Sequence, residues 1–193
     1  MTGGPTLEGI SPDQRFRRLY GAHHLEIHAY LRRRADTETA LDALAETFLV
    51  VWRRIDTVPS GDDARLWIYG VARKTLANQR RSQHRSQALH NKLTEQGSDL
   101  TADPATVVVR NAEAWDVLDA MDRLRDNDRE VLRLAAWEDL PHDEIAEIFG
   151  CSTHAVDQRL VRAKKRLERE LQRTRRKRRR ATWMDTSTAG GSS

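Results

Sequence analysis

Apolar residues recur three and four positions apart through most of the chain, and alternating β-branched runs are absent. That spacing marks one face of an α-helix, so the pattern predicts an all-α protein. From Asp13 to Arg34 the stripe is Phe16, Leu19, Tyr20, Ile27, Tyr30 and Leu31. A second helix is predicted after Thr37, with Ala40, Leu41, Leu44, Phe48, Val51, Trp52 and Ile55 turned inward. Pro59 and Gly61 break the pattern between Asp56 and Asp63. A third helix, Ala64 to Arg81, carries Leu66, Trp67, Tyr69, Val71, Leu76 and Ala77.

Periodicity is lost over residues 82–106, which are polar and contain Gly97 and Pro104, as a flexible linker does. It resumes near Val107 with Ala114, Trp115, Val117, Leu118 and Met121. "DNDREVLRLAAW" predicts the next helix, with Asp126 or Asn127 as its cap. Two more helices are expected over 142–149 and 152–172. Gly150 supplies the turn between them and Ser152 the cap of the second. Val156, Leu160, Ala163, Leu167 and Leu171 keep helical phase and face inward. The opposite side carries His154, Gln158, Arg162 and Lys165, flanked by Arg159 and Arg166. Helix, short turn and basic second helix is the geometry of a helix-turn-helix. An ordinary helical hairpin with a solvated basic face has the same periodicity. The glycine turn, the cap and the outward polar set favour DNA.

Charge sharpens this reading. The chain carries +4 overall, but residues 159–180 hold 13 Lys/Arg against Glu168 and Glu170, a net of +11. Residues 1–158 sum to −6. An acidic body with a basic C-terminal stretch points to a polyanion bound locally. The single cysteine, Cys151, excludes an intrachain disulfide. No apolar run is long enough for a membrane span, and "MTGGPTLEGISPDQ" lacks the features of a signal peptide, so a cytoplasmic protein without membrane insertion is expected. The seven histidines form no metal-ligand spacing with Cys151; His24 and His28, four residues apart, could bridge a metal but read as a surface pair, and neither a catalytic constellation nor a phosphate-binding glycine loop is present. The expectation is a non-enzyme with no cofactor.

"LDAMDRLRDNDREVLRLAAWEDLPHDEIAEIFGCSTHAVDQRLVRAKKRLEREL" resembles region 4, the promoter-reading domain of bacterial sigma factors. The matching positions run from Arg129, Glu130, Val131, Leu132 and Leu134 through Glu144, Ile145, Ala146, Gly150 and Ser152 to Val156, Arg159, Leu160, Arg162, Ala163 and Leu167. "LDALAETFLVVWRRI" and "ARLWIYGVARKTLANQRR" resemble the polymerase-binding and promoter-melting helices of region 2. Two such regions with a short linker resemble the extracytoplasmic function (ECF) group of the sigma-70 family.

The resemblance implies two small helical domains: region 2 over residues 12–85 and region 4 over 107–172, joined by a linker at 86–106. Residues 1–11 and the basic tail at 173–193 are expected to be disordered. It implies core RNA polymerase and promoter DNA as partners, and an anti-sigma factor as inhibitor. Polymerase docking falls to Asp42 and Glu46, four residues apart on one helical face, with Arg53 and Arg54 extending it. The Asp56–Asp63 loop corresponds to the one that captures a flipped base of the −10 element. Beside it Arg73, Lys74, Asn78, Arg80 and Arg81 are expected to meet −10 DNA: Asn78 has the donor–acceptor pair for a base edge, and the arginines suit phosphate. Trp67 reads as core, while Tyr69 stays open between core and base stacking. In region 4, Ser152 and Thr153 are expected on phosphate, and His154, Ala155, Gln158 and Arg159 at base edges of the −35 element. Arg162, Lys165 and Arg166 fall on the backbone. Asp157 would either repel phosphate or accept from a cytosine amino group. The alternative function is an autonomous helix-turn-helix regulator, for which the polymerase-docking and single-strand faces of the first half have no use.

Overall fold

The computed structural model describes residues 10–93 and 112–188. The expectations for residues 1–9, for 94–111 and for the final five residues lie outside the described residues. The chain divides into two compact units, residues 1–106 and 107–193.

In the first unit three helices pack together: α1 (Pro12–Arg32), α2 (Thr37–Arg53) and α3 (Asp62–Leu93). Ser11 opens α1 with a reciprocal capping box to Gln14, and Asp36 caps α2 by accepting from the Thr39 amide at 2.9 Å. These caps satisfy backbone donors that a helix start leaves without partners. The core is built from Ile27, Tyr30 and Leu31 of α1, Ala40, Ala43 and Val51 of α2, and Ile68, Tyr69 and Ala72 of α3. Tyr69 packs edge-on against Tyr30 with ring centroids 5.0 Å apart. Its hydroxyl donates to Glu26 Oε1 at 3.0 Å. Tyr69 is therefore a core residue, which closes the stacking alternative. Phe16, Tyr20, Phe48 and Trp52 make a second aromatic cluster where α1 crosses α2.

The second unit comprises α4 (Ala112–Asp122), α5 (Asp126–Ala136), α6 (His142–Phe149) and α7 (Thr153–Thr188). Val131, Leu134, Ile145, Val156 and Ala163 are fully buried and bring α5, α6 and α7 onto one core. Gly150 ends α6 at φ 65° and ψ 46°, the left-handed conformation that costs glycine nothing. The Ser152 hydroxyl accepts from the Ala155 amide at 3.2 Å and so caps α7 as expected. The expected cap on α5 is not formed: Asp126 is already the first helical residue, and Arg125 holds the cap position without a side-chain bond.

Two helices outrun their sequence-based ends. α3 continues past Arg81 to Leu93, into what reads as linker, and α7 continues through the expected disordered tail to Thr188. The α7 extension begins with a dense run of Arg and Lys, which are good helix formers, and the α3 extension is mostly polar, so neither leaves a periodic apolar stripe to detect.

Candidate nucleic-acid interface

On α2 the exposed face carries Asp42, Glu46 and Arg53, at i, i+4 and i+11. Glu46 accepts from Gln79 of α3 at 3.3 Å, and Arg54 lies past the end of α2 at its C-cap, also exposed. Leu41, Leu49 and Trp52 remain between 43% and 49% exposed on this side. Leu41 and Trp52 were expected inside. At 100° per residue they fall at the edge of the buried stripe, and the unit has no further helix among the described residues to cover them. The face is thus apolar as well as acidic, a combination suited to docking another protein.

The predicted −10 residues separate into two sets. Lys74, Asn78 and Arg81 share one exposed face of α3. Arg81 donates to Asn78 Oδ1 at 2.6 Å, which orients the amide. Arg73 and Arg80 point elsewhere and are half-buried. Arg80 donates to the Arg34 carbonyl, tying α3 to the α1–α2 connection. Because α3 continues, Arg85 joins Lys74, Asn78 and Arg81 at i+11, and it is exposed. Sequence reading passed over Arg85 because it lay beyond the predicted helix end at Arg81; the i, i+4, i+7, i+11 spacing is the signal that finds it. Trp67 is half-buried at the same helix.

Beside the Asp56–Asp63 loop lies a cavity of about 210 Å³ lined by Arg15, Arg18, His23, Pro59, Ser60 and Gly61, among others. Arg15 donates to the Val58 carbonyl and anchors the loop to α1. Gly61 has φ 67°, the left-handed value that lets the chain turn into α3. Burial lowers the His23 pKa below its usual 6.5; Glu26 opposes that shift and Arg65 adds to it. The cavity therefore presents an imidazole biased toward its neutral form beside two arginines. None of Arg15, Arg18 and His23 was singled out from the sequence, since they sit in a different helix from the loop they line.

In the second unit, Ser152, Thr153, His154, Gln158, Arg162 and Lys165 are exposed on the first turns of α7, and Ala155 is half-buried beneath them. Gln158 donates to His154 Nε2 at 2.8 Å. Arg162 Nε donates to the Gln158 carbonyl at 3.1 Å. Arg159 is half-buried, with its guanidinium 5.1 Å over the Phe149 ring at the end of α6. Arg166 is committed within the fold: it pairs with Asp128 of α5, whose side chain is 10% exposed. Asp157 accepts from His142 Nδ1 at 2.6 Å, across from the first residue of α6. That pairing is a contact neither sequence-based alternative contained.

Residues 19–86 match the family description Sigma-70 region 2, and residues 114–167 match Sigma-70, region 4. The two segments lie one in each unit and together span more than half of the chain. The chain belongs to the sigma-70 family of RNA polymerase sigma factors. Within it the chain is of the ECF group: a sigma factor that joins core RNA polymerase and directs promoter-specific transcription initiation. It is 29% identical over 159 residues to RNA polymerase sigma factor YlaC of Bacillus subtilis, covering 81% of this chain and 92% of that one. It is 28% identical over 159 residues to ECF RNA polymerase sigma factor BldN of Streptomyces coelicolor, covering 81% and 60%. The fold is similar to that of the sigma factor RpoE of Bartonella quintana, solved in complex with the anti-sigma factor NepR. The TM-score is 0.59 at 19% identity, over 81% of this chain and 96% of that one. CnrH, solved with the cytosolic domain of CnrY, gives 0.52 at 21% identity, over 81% and 87%.

Proposed function

We propose that the outward face of α2 is the polymerase-docking surface, with Asp42, Glu46 and Arg53 ringing Leu49 and Trp52. Arg54 sits at the margin of that surface. The exposed row Lys74, Asn78, Arg81 and Arg85 meets the −10 strand once it is unpaired, and the cavity beside the loop receives its flipped base. Single strands are held by such a pairing of cationic track and base-sized recess. In region 4 the exposed start of α7 enters the −35 major groove, with His154, Gln158 and Arg159 at base edges and Ser152, Thr153, Arg162 and Lys165 on phosphates. Arg80 and Arg166 act inside their own units instead, and Arg73, half-buried, lies off the exposed row.

The observation that carries this assignment is the separation of cations by accessibility. On α3, Lys74, Asn78, Arg81 and Arg85 share one exposed face while Arg80 is tied to the Arg34 carbonyl; at the start of α7, His154, Gln158, Arg162 and Lys165 share another while Arg166 is tied to Asp128. An autonomous regulator has no use for the α3 row. Run-off transcription with core polymerase and a promoter library tests the reading. Activity that depends on Asp42, Glu46 and Asn78 supports it; specific duplex binding by the free chain that needs none of them supports an autonomous regulator.

The protein works where polymerase does, in the cytoplasm, as an initiation factor and not an enzyme. No helix among the described residues is long and apolar enough to cross a membrane. RpoE of Bartonella quintana was solved with an anti-sigma factor. By extension an anti-sigma protein holds this chain inactive, and the exposed Leu41, Leu49 and Trp52 offer it apolar surface. Affinity capture from the native cell that recovers polymerase but no stoichiometric second protein would remove this part of the reading.

A further inference from the structure

The basic segment after Leu171 is a two-sided helix. Its inner side is latched to α4. Arg178 pairs with Asp116 at 2.9 Å, and the Asp116 side chain is only 6% exposed. Thr174, 9% exposed, donates to Asp119 Oδ2 at 3.0 Å and accepts from Arg123 at 2.6 Å. Arg123 in turn pairs with Asp119 at 2.9 Å, which closes the network. Two carboxylates of α4 thus engage one side of a run in which seven of the eight residues from Arg173 to Arg180 are cationic.

On the other side Arg162, Lys165, Arg169, Arg173 and Arg176 are all exposed. Their spacings of three and four residues keep them within one narrow arc of α7. The same arc begins with His154 and Gln158. Arg173 shares its charge with Glu170 at 2.7 Å, so the row is not uniform. From His154 to Arg176 it runs about 33 Å at 1.5 Å per residue. The major groove is only about 12 Å wide, so a rod that enters it by the first turn extends past the groove mouth. Cations beyond the mouth meet the sugar–phosphate backbone and not base edges.

We propose that the α7 extension is a preorganised phosphate-binding rod, held in register by α4, that binds duplex backbone flanking the −35 element through Arg169, Arg173 and Arg176. This rests on the reading of the first turns of α7 as the groove reader. It differs from a loose polybasic tail in two measurable respects. Cations on the outer row count for more than cations off it, and the carboxylates of α4 help DNA binding despite their charge.

The test uses the full chain, a mixed-sequence DNA duplex and a salt titration. Arg169→Ala/Arg176→Ala should weaken binding about tenfold and make the salt slope shallower by about 1.8, two phosphate contacts at about 0.9 each. Lys164→Ala/Arg175→Ala removes the same charge from exposed positions off the row and should change the slope by well under half as much. Asp116→Ala/Asp119→Ala adds two positive charges overall, yet should weaken binding, with a loss of helical signal from the unlatched extension. Equal losses from the two arginine and lysine doubles would overturn the rod, as would tighter binding by the Asp116/Asp119 variant. Unchanged duplex binding with lost core-polymerase affinity would place an acidic protein on the row instead and also overturn it. The groove-reader assignment is tested apart, by promoter selection with the holoenzyme and Arg159→Ala. Failure of the parent to select any sequence defeats that reading and leaves the mixed-duplex result standing for the rod.

Discussion

The two units use helices in different ways to present charge. Region 2 works with the flank of a helix: α3 lies across the unit, buries Ile68, Tyr69 and Ala72 on one side, and exposes Lys74, Asn78, Arg81 and Arg85 on the other. Region 4 works with the beginning of a helix: the first turns of α7 project after Gly150, and its later turns are packed on α5 and latched to α4. The flank suits an extended single strand, which needs several contacts along a line. A helix start suits a groove that only a narrow element can enter. The contrast teaches that a count of basic residues does not locate a nucleic-acid face. In both units some of the arginines hold the protein together, Arg80 through the Arg34 carbonyl and Arg166 through Asp128.

The strongest way to break the comparison is to remove one unit's role without touching the other. Asp42→Arg/Glu46→Arg places two cations on the α2 face and should abolish core binding and run-off transcription, a loss of about a hundredfold or more, since like-charge juxtaposition at an interface costs several kcal/mol. Both positions are exposed and the only side-chain contact there among the described residues, Gln79 to Glu46, is a long one at 3.3 Å, so the unit should stay folded with a melting temperature close to the parent's. Duplex affinity of the free chain should not fall. Pull-down with core polymerase, alongside a thermal scan, checks the separation. Retained core binding would move docking off this face.

The all-α class, the two-unit order and the helix-turn-helix were legible in the sequence because each leaves a periodic or chemical mark. Gly150 and Ser152 announce their turn and cap, and Val156, Leu160 and Ala163 are buried as their phase requires. Helix ends were not legible in α3 and α7, because neither extension carries a periodic apolar stripe, and that of α7 is held by polar contacts to α4 instead. Ile68 is fully buried beside Tyr69, although the predicted stripe left it out. Pairings such as His142 with Asp157 and Arg178 with Asp116 join residues that are far apart in sequence and share no motif. Only tertiary structure brings them together. At the candidate site, the sequence pointed to α2, α3 and α7 but could not sort their arginines into exposed ones and ones engaged within the fold.

The next prediction sharpens the contrast between opening and recognition. Arg159→Ala should weaken −35 selection by about 1–3 kcal/mol if the guanidinium leaves Phe149 for a bidentate base contact. Asn78→Ala should leave closed-complex binding near the parent and impair strand opening. Permanganate reactivity of unpaired thymines at matched occupancy reads the difference. If Asn78→Ala opened premelted and duplex promoters as well as the parent, the flank of α3 would have no part in melting. Arg85→Ala should behave like Asn78→Ala to a smaller degree, because phosphate contacts position the strand without reading it.

A smaller effect should distinguish the caps. Asp36→Ala removes the side-chain acceptor of the Thr39 amide at the start of α2, and Ser152→Ala removes that of the Ala155 amide. Each should cost about 1 kcal/mol. The Asp36 carboxylate has its pKa lowered, chiefly by the backbone hydrogen bond from Thr39. Its contribution is present above the ordinary carboxylate pKa of 3.8 and fades as the pH falls through the lowered value. Denaturant melts of the two variants at neutral pH and at acidic pH check this. The Asp36→Ala deficit should shrink on acidification, because the parent then loses the same charged acceptor.

The smallest effect belongs to His23, and it concerns region 2 alone. Its pKa is lowered by burial, with Arg65 adding to the shift and Glu26, 3.9 Å away, opposing it. The folded state therefore binds this proton less readily than the unfolded chain, whose histidine titrates near 6.5. Between the lowered value and 6.5 the unfolded state holds more protons, so stability rises with pH across that window. It is fully present above 6.5 and is lost as the solution is acidified. His23→Gln keeps polar atoms beside Arg18 and Ser60 but cannot titrate, so melts of this variant should lose that pH dependence. The same substitution separates two roles for the cavity. If it captures a base against a neutral imidazole, acidifying the parent should impair opening of a premelted promoter before it impairs core binding, and His23→Gln should abolish the sensitivity. An equal pH response of opening in parent and variant would show that His23 shapes the cavity wall without meeting the base.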